Sequence, residues 1–302
     1  MLNPSGLRLH AMTPGDLEGS VIGPLTHRVD RERIDAFVQA TGDDPDRWVD
    51  HAPPGYAAVL LFSVAGVLLS DARIGSYLST LIHVDQQFVY VGAFAVDAEI
   101  DVTGTVERVR ERGGAFFVTF VASGTVHGEP VFQSRSTFLM SDQAAAESAI
   151  DRSEPAVGQR GTNEVAAGVQ PVEVGAVSTM AKSASRSDLV RYAAATRDFN
   201  PLHWDHVSAR GAGLDGVVVH GLLMLSWMAQ QASSFSIAPA PIATIKVRFR
   251  SALGPAVPAV VESTALETTP DGRQVNLSLK VNADGSDVVT GNAVVRLAQV
   301  TP

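Results

Sequence analysis

The chain contains no cysteine. That excludes disulfides, thiolate metal sites and a cysteine nucleophile, and it leaves the compartment open. Charge is also scarce. Charged residues make up 18% of the 302 positions, and the formal balance is −9. An acidic surface repels phosphates, so general nucleic-acid binding is not expected. Hydrophobic residues reach 45%, which does not fit a disordered acidic protein. The longest apolar runs, near 56–69 and 217–229, are too short to span a bilayer. Residues 1–20 hold no apolar core behind basic residues. No signal peptide is read there, and a cytoplasmic protein is the expectation.

What is present is a pattern written twice. Ile34, Phe37, Val38 and Thr41 are followed by Asp43; Leu189, Tyr192, Ala193 and Thr196 are followed by Asp198. The offset is 155 at each position. Each set of four follows i, i+3, i+4, i+7, one face of a helix. Asp30 can cap the first helix, and Ser185-x-x-Asp188 resembles a capping box for the second. With a single gap, Pro45 matches Pro201 and Trp48 matches Trp204, while Arg47 stands where His203 does. A guanidinium does not lose its proton near neutral pH and cannot act as a base. Any catalytic half is therefore the second.

Each half continues in the same order. An all-apolar segment, 56–69 or 220–231, reads as a helix buried on every side. Four strand-like segments follow in each half: 84–90, 95–107, 115–126 and 131–140, then 242–250, 259–268, 274–282 and 288–297. An α+β fold is expected, each half an antiparallel curved sheet wrapped around its central helix. The expected units are 1–140 and 169–302, joined by a linker at 141–168 that is rich in Ala, Gly, Ser and charge.

Chemistry concentrates in Asp198-Phe199-Asn200-Pro201-Leu202-His203. A carboxylate, a carboxamide and an imidazole lie within six residues, the groups needed to hold and polarise one water. Pro201 disfavours helical angles at Asn200, so the chain turns and the three side chains can converge. Downstream, Val219-His220-Gly221-Leu222 opens an apolar helix with a glycine, whose N–H can meet a carbonyl oxygen. Simpler readings stand beside these: an Asx turn after a helix, and a glycine that permits close packing.

These segments resemble the MaoC-like (R)-specific enoyl-CoA hydratases and 3-hydroxyacyl-thioester dehydratases. The second half carries their hydratase motif over Tyr192 to Trp204 and their second segment at Val219 to Leu222. The first half is similar to their degenerate N-terminal unit, including Ala52-Pro53-Pro54-Gly55. The resemblance implies a double hot-dog fold and reversible addition of water to trans-2-enoyl thioesters, giving (3R)-3-hydroxyacyl thioesters. It implies Asp198 and His203 as the catalytic pair, Asn200 orienting the water and Gly221 N–H binding the thioester oxygen. The substrate would be carried on coenzyme A or on acyl carrier protein phosphopantetheine. No cofactor or metal is expected.

One position departs from the family pattern. Arg197 stands where glycine is usual, and is expected to perturb the turn or reach the substrate channel. Lys246, Arg248 and Arg250 alternate with apolar residues; they read either as a strand's solvent face or as a clamp for carrier phosphates. Met224, Trp227 and Met228 are packing residues or an acyl tunnel. His220 reads as structural, Tyr192 as core and Asp43 as a relic. Loss of the imidazole from the first half is expected to make room for a longer acyl chain. The alternatives are a hot-dog acyl thioesterase and a non-catalytic acyl-thioester-binding subunit. Two fused halves can already form the usual pair, and a homodimer stays open.

Overall fold

A computed structural model describes residues 13–141, 161–166 and 169–297. The first half runs β1 (Val21–Arg28), α1 (Arg31–Thr41), β2 (His51–Ala52), α2 (Ala57–Leu69), β3 (Ile82–Tyr90), β4 (Phe94–Ala95), β5 (Glu99–Arg112), β6 (Ala115–Val126) and β7 (Glu129–Ser141). The second runs β8 (Val177–Lys182), α3 (Arg186–Thr196), α4 (His206–Gly211), α5 (Gly221–Ser233), β9 (Ile242–Phe249), β10 (Ala259–Thr268), β11 (Gln274–Ala283) and β12 (Ser286–Arg296). Most of the expected linker, 142–160 and 167–168, lies outside the described residues.

The two paired helices form for the reasons their sequences give. Ile34, Phe37, Val38 and Thr41 are buried on α1, and Leu189, Tyr192, Ala193 and Thr196 on α3. Asp30 accepts from Arg33 N, and Ser185 with Asp188 forms the capping box. The two apolar faces meet, with Phe37 and Tyr192 ring centroids 6.1 Å apart. Each helix ends on a left-handed residue, Gly42 (φ 61°) or Arg197 (φ 66°).

Ten strands form one antiparallel sheet in the order β1-β5-β6-β7-β3-β9-β12-β11-β10-β8. The two halves repeat one order and join where β3 pairs β9, with Gln86 opposite Val247. α2 lies on β1, β5 and β6, and α5 lies against β8 to β12. This is the double hot-dog architecture. Along β6 the alternation puts Phe116, Val118, Phe120 and Ala122 into the core. Gly55 fits where it does because a Cβ there would stand 2.8 Å from Ser226 Oγ on α5.

Two expectations need correction. Each half has a fifth strand, β1 or β8, before its paired helix. Both lie at sheet edges; β1 buries only His27, and β8 alternates in burial but places a lysine, Lys182, among its buried positions, so neither carries an apolar alternation in sequence. α2 is not buried all round, since Val67 is 50% exposed, whereas α5 is buried from Leu222 to Ser233. The outer edge of β8 is also met by 162–164: Ser183 N donates to Thr162 O and Glu164 N to Ala181 O.

Arg47 makes a contact between the halves. Its Nη2 donates to Ser233 O and Ser236 O, each at 2.7 Å, which ties the first half to the C-terminal end of α5. Beside it, Lys182 Nζ donates to Gly42 O at 2.8 Å, and burial pushes this amine down to about 8. Asp43 is half-buried close by, its carboxyl raised by loss of solvation. Where the second half has an imidazole, Arg47 thus holds the Ser233 and Ser236 carbonyls, at and just past the end of α5. Hydrogen bonds from a charged group typically contribute about 1.5–3 kcal/mol. Arg47→Ala is expected to lose about that much stability, read as a lower urea midpoint at unchanged slope. A midpoint equal to wild type would contradict the assigned role.

Candidate active site

The site is built where α3 ends. Arg197 takes left-handed angles (φ 66°, ψ 21°), the same region as Gly42 in the first half (φ 61°, ψ 42°). The turn that glycine would make freely is therefore kept, at a cost of about 1 kcal/mol or more for a residue with a Cβ. Thr196 Oγ1 bonds back to Tyr192 O at 2.7 Å, as Thr41 Oγ1 does to Phe37 O at 2.9 Å. The chain then reverses and buries Asp198, which is 8% exposed.

Asn200 starts a short 3-10 turn, Pro201–His203. Its Oδ1 accepts from Leu202 N at 3.1 Å, and its Nδ2 donates to Leu81 O at 3.0 Å. The second contact reaches into the first half. One amide N–H of Asn200 is left for another partner. The turn delivers His203, whose Nδ1 lies 2.8 Å from Val218 O. A carbonyl only accepts, so Nδ1 carries the hydrogen and Nε2 keeps its lone pair.

His220 is the residue before α5. Its Nε2 lies 3.3 Å from Asp198 O and so carries that ring's hydrogen. The His203 and His220 rings stack with centroids 3.7 Å apart. Burial lowers the pKa of both imidazoles; Asp198 opposes this at His203, and a charge on His203 would lower His220 further. Burial raises the Asp198 carboxyl, with His203 pulling the other way. Ligand atoms of Asp198, His203 and His220 all lie within 4.8 Å of one another. Among the described residues this is the group that could share a cation; the two nitrogens already turned to carbonyls are poorly placed to join in.

A cavity of about 280 Å³ opens over these groups. Asp198, Asn200, His203 and Gly221 all line it. Gly221 is the first residue of α5, where helix geometry leaves the N–H without an intrahelical acceptor. A Cβ on Gly221 would stand 3.0 Å from the Phe249 ring. Phe62 and Leu69 from α2, with Phe138 and Met224, add apolar lining. Of the basic residues expected to bind substrate, Arg250 lines the cavity. Lys246 and Arg248 are exposed on β9 outside that lining, and Arg248 faces Asp85 at 3.6 Å. Arg197 is directed instead to a separate depression with His27 and Arg33. Trp227 and Met228 are buried core and absent from the lining. His83 and Leu81, both from the first half, were not singled out in sequence; nothing local marks residues whose role comes from a distant pairing.

Residues 166–264 match the family model described as MaoC like domain, and 16–134 match FAS1-like, dehydratase domain region. An (R)-specific enoyl-CoA hydratase of Aeromonas caviae is 30% identical over 132 residues, 42% of this chain and 97% of that protein. The chain belongs to the MaoC-like dehydratase family. This MaoC-like protein is also 32% identical to a mitochondrial 3-hydroxyacyl-[acyl-carrier-protein] dehydratase of Arabidopsis thaliana, over 39% of this chain and 72% of that one. A UPF0336 protein of Streptomyces griseus is 30% identical over 34% of this chain and 75% of its own length. The solved structure of a MaoC-like dehydratase superposes with a TM-score of 0.78 at 20% identity, covering 93% of this chain and 99% of that one.

The hydrogen bonds of this MaoC-like site make a spectroscopic prediction. At pH 7, nitrogen chemical shifts should report a neutral His203 protonated on Nδ1 and a neutral His220 protonated on Nε2. An imidazolium at either position would contradict the geometry.

Proposed function

We propose that the chain reversibly hydrates trans-2-enoyl thioesters to (3R)-3-hydroxyacyl thioesters, using Asp198 and His203 to activate water. The observation that carries this reading is that Asp198, His203 and the N-terminal glycine of α5 line one cavity with apolar walls. The names of the relatives from Aeromonas and Arabidopsis support the same chemistry.

A water between the two side chains gives one hydrogen bond to the Nε2 lone pair of His203 and one to the Asp198 carboxylate. Its oxygen adds to the β-carbon while Asp198 takes a proton and passes it to the α-carbon on the same face. In the reverse direction the same groups remove water. Negative charge gathers on the thioester oxygen during the step. The Gly221 N–H at the start of α5 meets that oxygen with a favourable helix dipole. Asn200 holds the turn that aims His203. The acyl group is carried on coenzyme A or on the phosphopantetheine of an acyl carrier protein. This addition needs neither a redox group nor a metal.

The test is the loss of enoyl-thioester absorbance with crotonyl-CoA and a longer trans-2-enoyl-CoA. Wild type should hydrate at least one of them. Asp198→Asn and His203→Ala should each fall by about 100-fold or more. Because the Asp198 carboxyl is raised from 3.8 and acts ionised, activity should climb with pH through a pKa above that value. Release of free thiol without hydration would overturn the reading in favour of a thioesterase.

A further inference from the structure

One polar side chain in the cavity is left idle by this chemistry. His83 lies on β3, in the half that carries arginine in place of the catalytic imidazole. It lines the same cavity as Asp198 and His203. Its ring is held between two phenylalanines, with centroids 4.7 Å from Phe138 and 5.1 Å from Phe249. Its Nε2 is buried without a hydrogen-bond partner in the protein, while the Asp85 backbone and the Gln86 side chain lie near enough to the ring to oppose part of the effect of burial on its pKa. Such atoms are uncommon because burial without a partner forfeits the bond to water. Burial also pushes this imidazole down to about 4, so it is neutral at neutral pH and suits a neutral partner. An all-hydrocarbon occupant would leave the nitrogen unmet, whereas an amide or a hydroxyl would satisfy it in either tautomer.

We infer that His83 determines specificity, its Nε2 pairing with a neutral polar group of the bound thioester that lies apart from the reacting carbons. This rests on the cavity being the thioester site. Two parts of such a molecule carry the required chemistry. One is an amide of the pantetheine arm, and the other is an oxygen substituent on the acyl chain. A site built around such a bond discriminates strongly against ligands that lack the partner. The role is one of recognition, since no proton passes through His83.

Hydration kinetics of wild type, His83→Phe and His83→Gln would separate the sources. Three substrates suffice: trans-2-hexenoyl-CoA, the same chain with a terminal hydroxyl, and the hexenoyl ethyl thioester, which has no amide. If the arm is the partner, His83→Phe should lower kcat/KM at least about tenfold for both CoA substrates and spare the ethyl thioester. If the acyl oxygen is the partner, only the hydroxylated substrate should suffer. In either case His83→Gln should recover part of the loss. A similar change on all three substrates, or none, would overturn the inference. Should wild type hydrate none of them, the reaction assignment falls. Calorimetric binding of the saturated hexanoyl-CoA and its hydroxylated analogue then decides. Weaker binding of at least one by His83→Phe, with partial recovery by His83→Gln, supports the inference, and equal dissociation constants overturn it.

Discussion

The antiparallel pairing of β3 with β9 is the contact on which the site depends. It makes two curved sheets into one and sets the ends of these two strands beside the turn at 198–203. Leu81 offers its carbonyl to Asn200 from one side, and Phe249 packs against Gly221 from the other. The cavity therefore belongs to neither half alone. Its acid, its imidazole and its helix N-terminus come from the second half, and Phe62, Leu69, His83 and Phe138 come from the first.

The two halves share a framework and differ at one kind of place. Both keep the capped helix, the left-handed residue after it, the aspartate that follows and the central helix. At the position of the imidazole the first half has Arg47, which reaches across to the carbonyls that end α5. A long, permanently charged side chain can satisfy two carbonyls at once, and a neutral ring cannot do the same from that distance. One copy of the motif now ties the helix of the other copy in place. The remaining copy keeps a short side chain with a free nitrogen lone pair.

Much of the architecture is legible in the sequence because burial leaves a periodic trace. Ile34 to Thr41 and Leu189 to Thr196 mark a helix face, and 115–126 alternates as a half-buried strand must. The edge strands leave little trace, since β1 buries only His27. Side-chain direction at turns is harder still. Arg197 sits beside Asp198 in sequence, yet left-handed angles send it to the other side of the chain. Lys246, Arg248 and Arg250 share one strand face, and only the last reaches the end of the strand where the cavity opens. His83 lies 120 positions from His203, and only the sheet brings the two rings to one cavity.

The ends of the ribbon also have a consequence. A sheet with open edges can recruit further strands without limit, as fibrils do. Here Pro24 interrupts the outer run of β1, where the register shifts between Ile22 and Leu25. At the far end, the short β8 has part of its free backbone taken by 162–164. Both features make templated growth at the edges of the ten-stranded sheet less favourable.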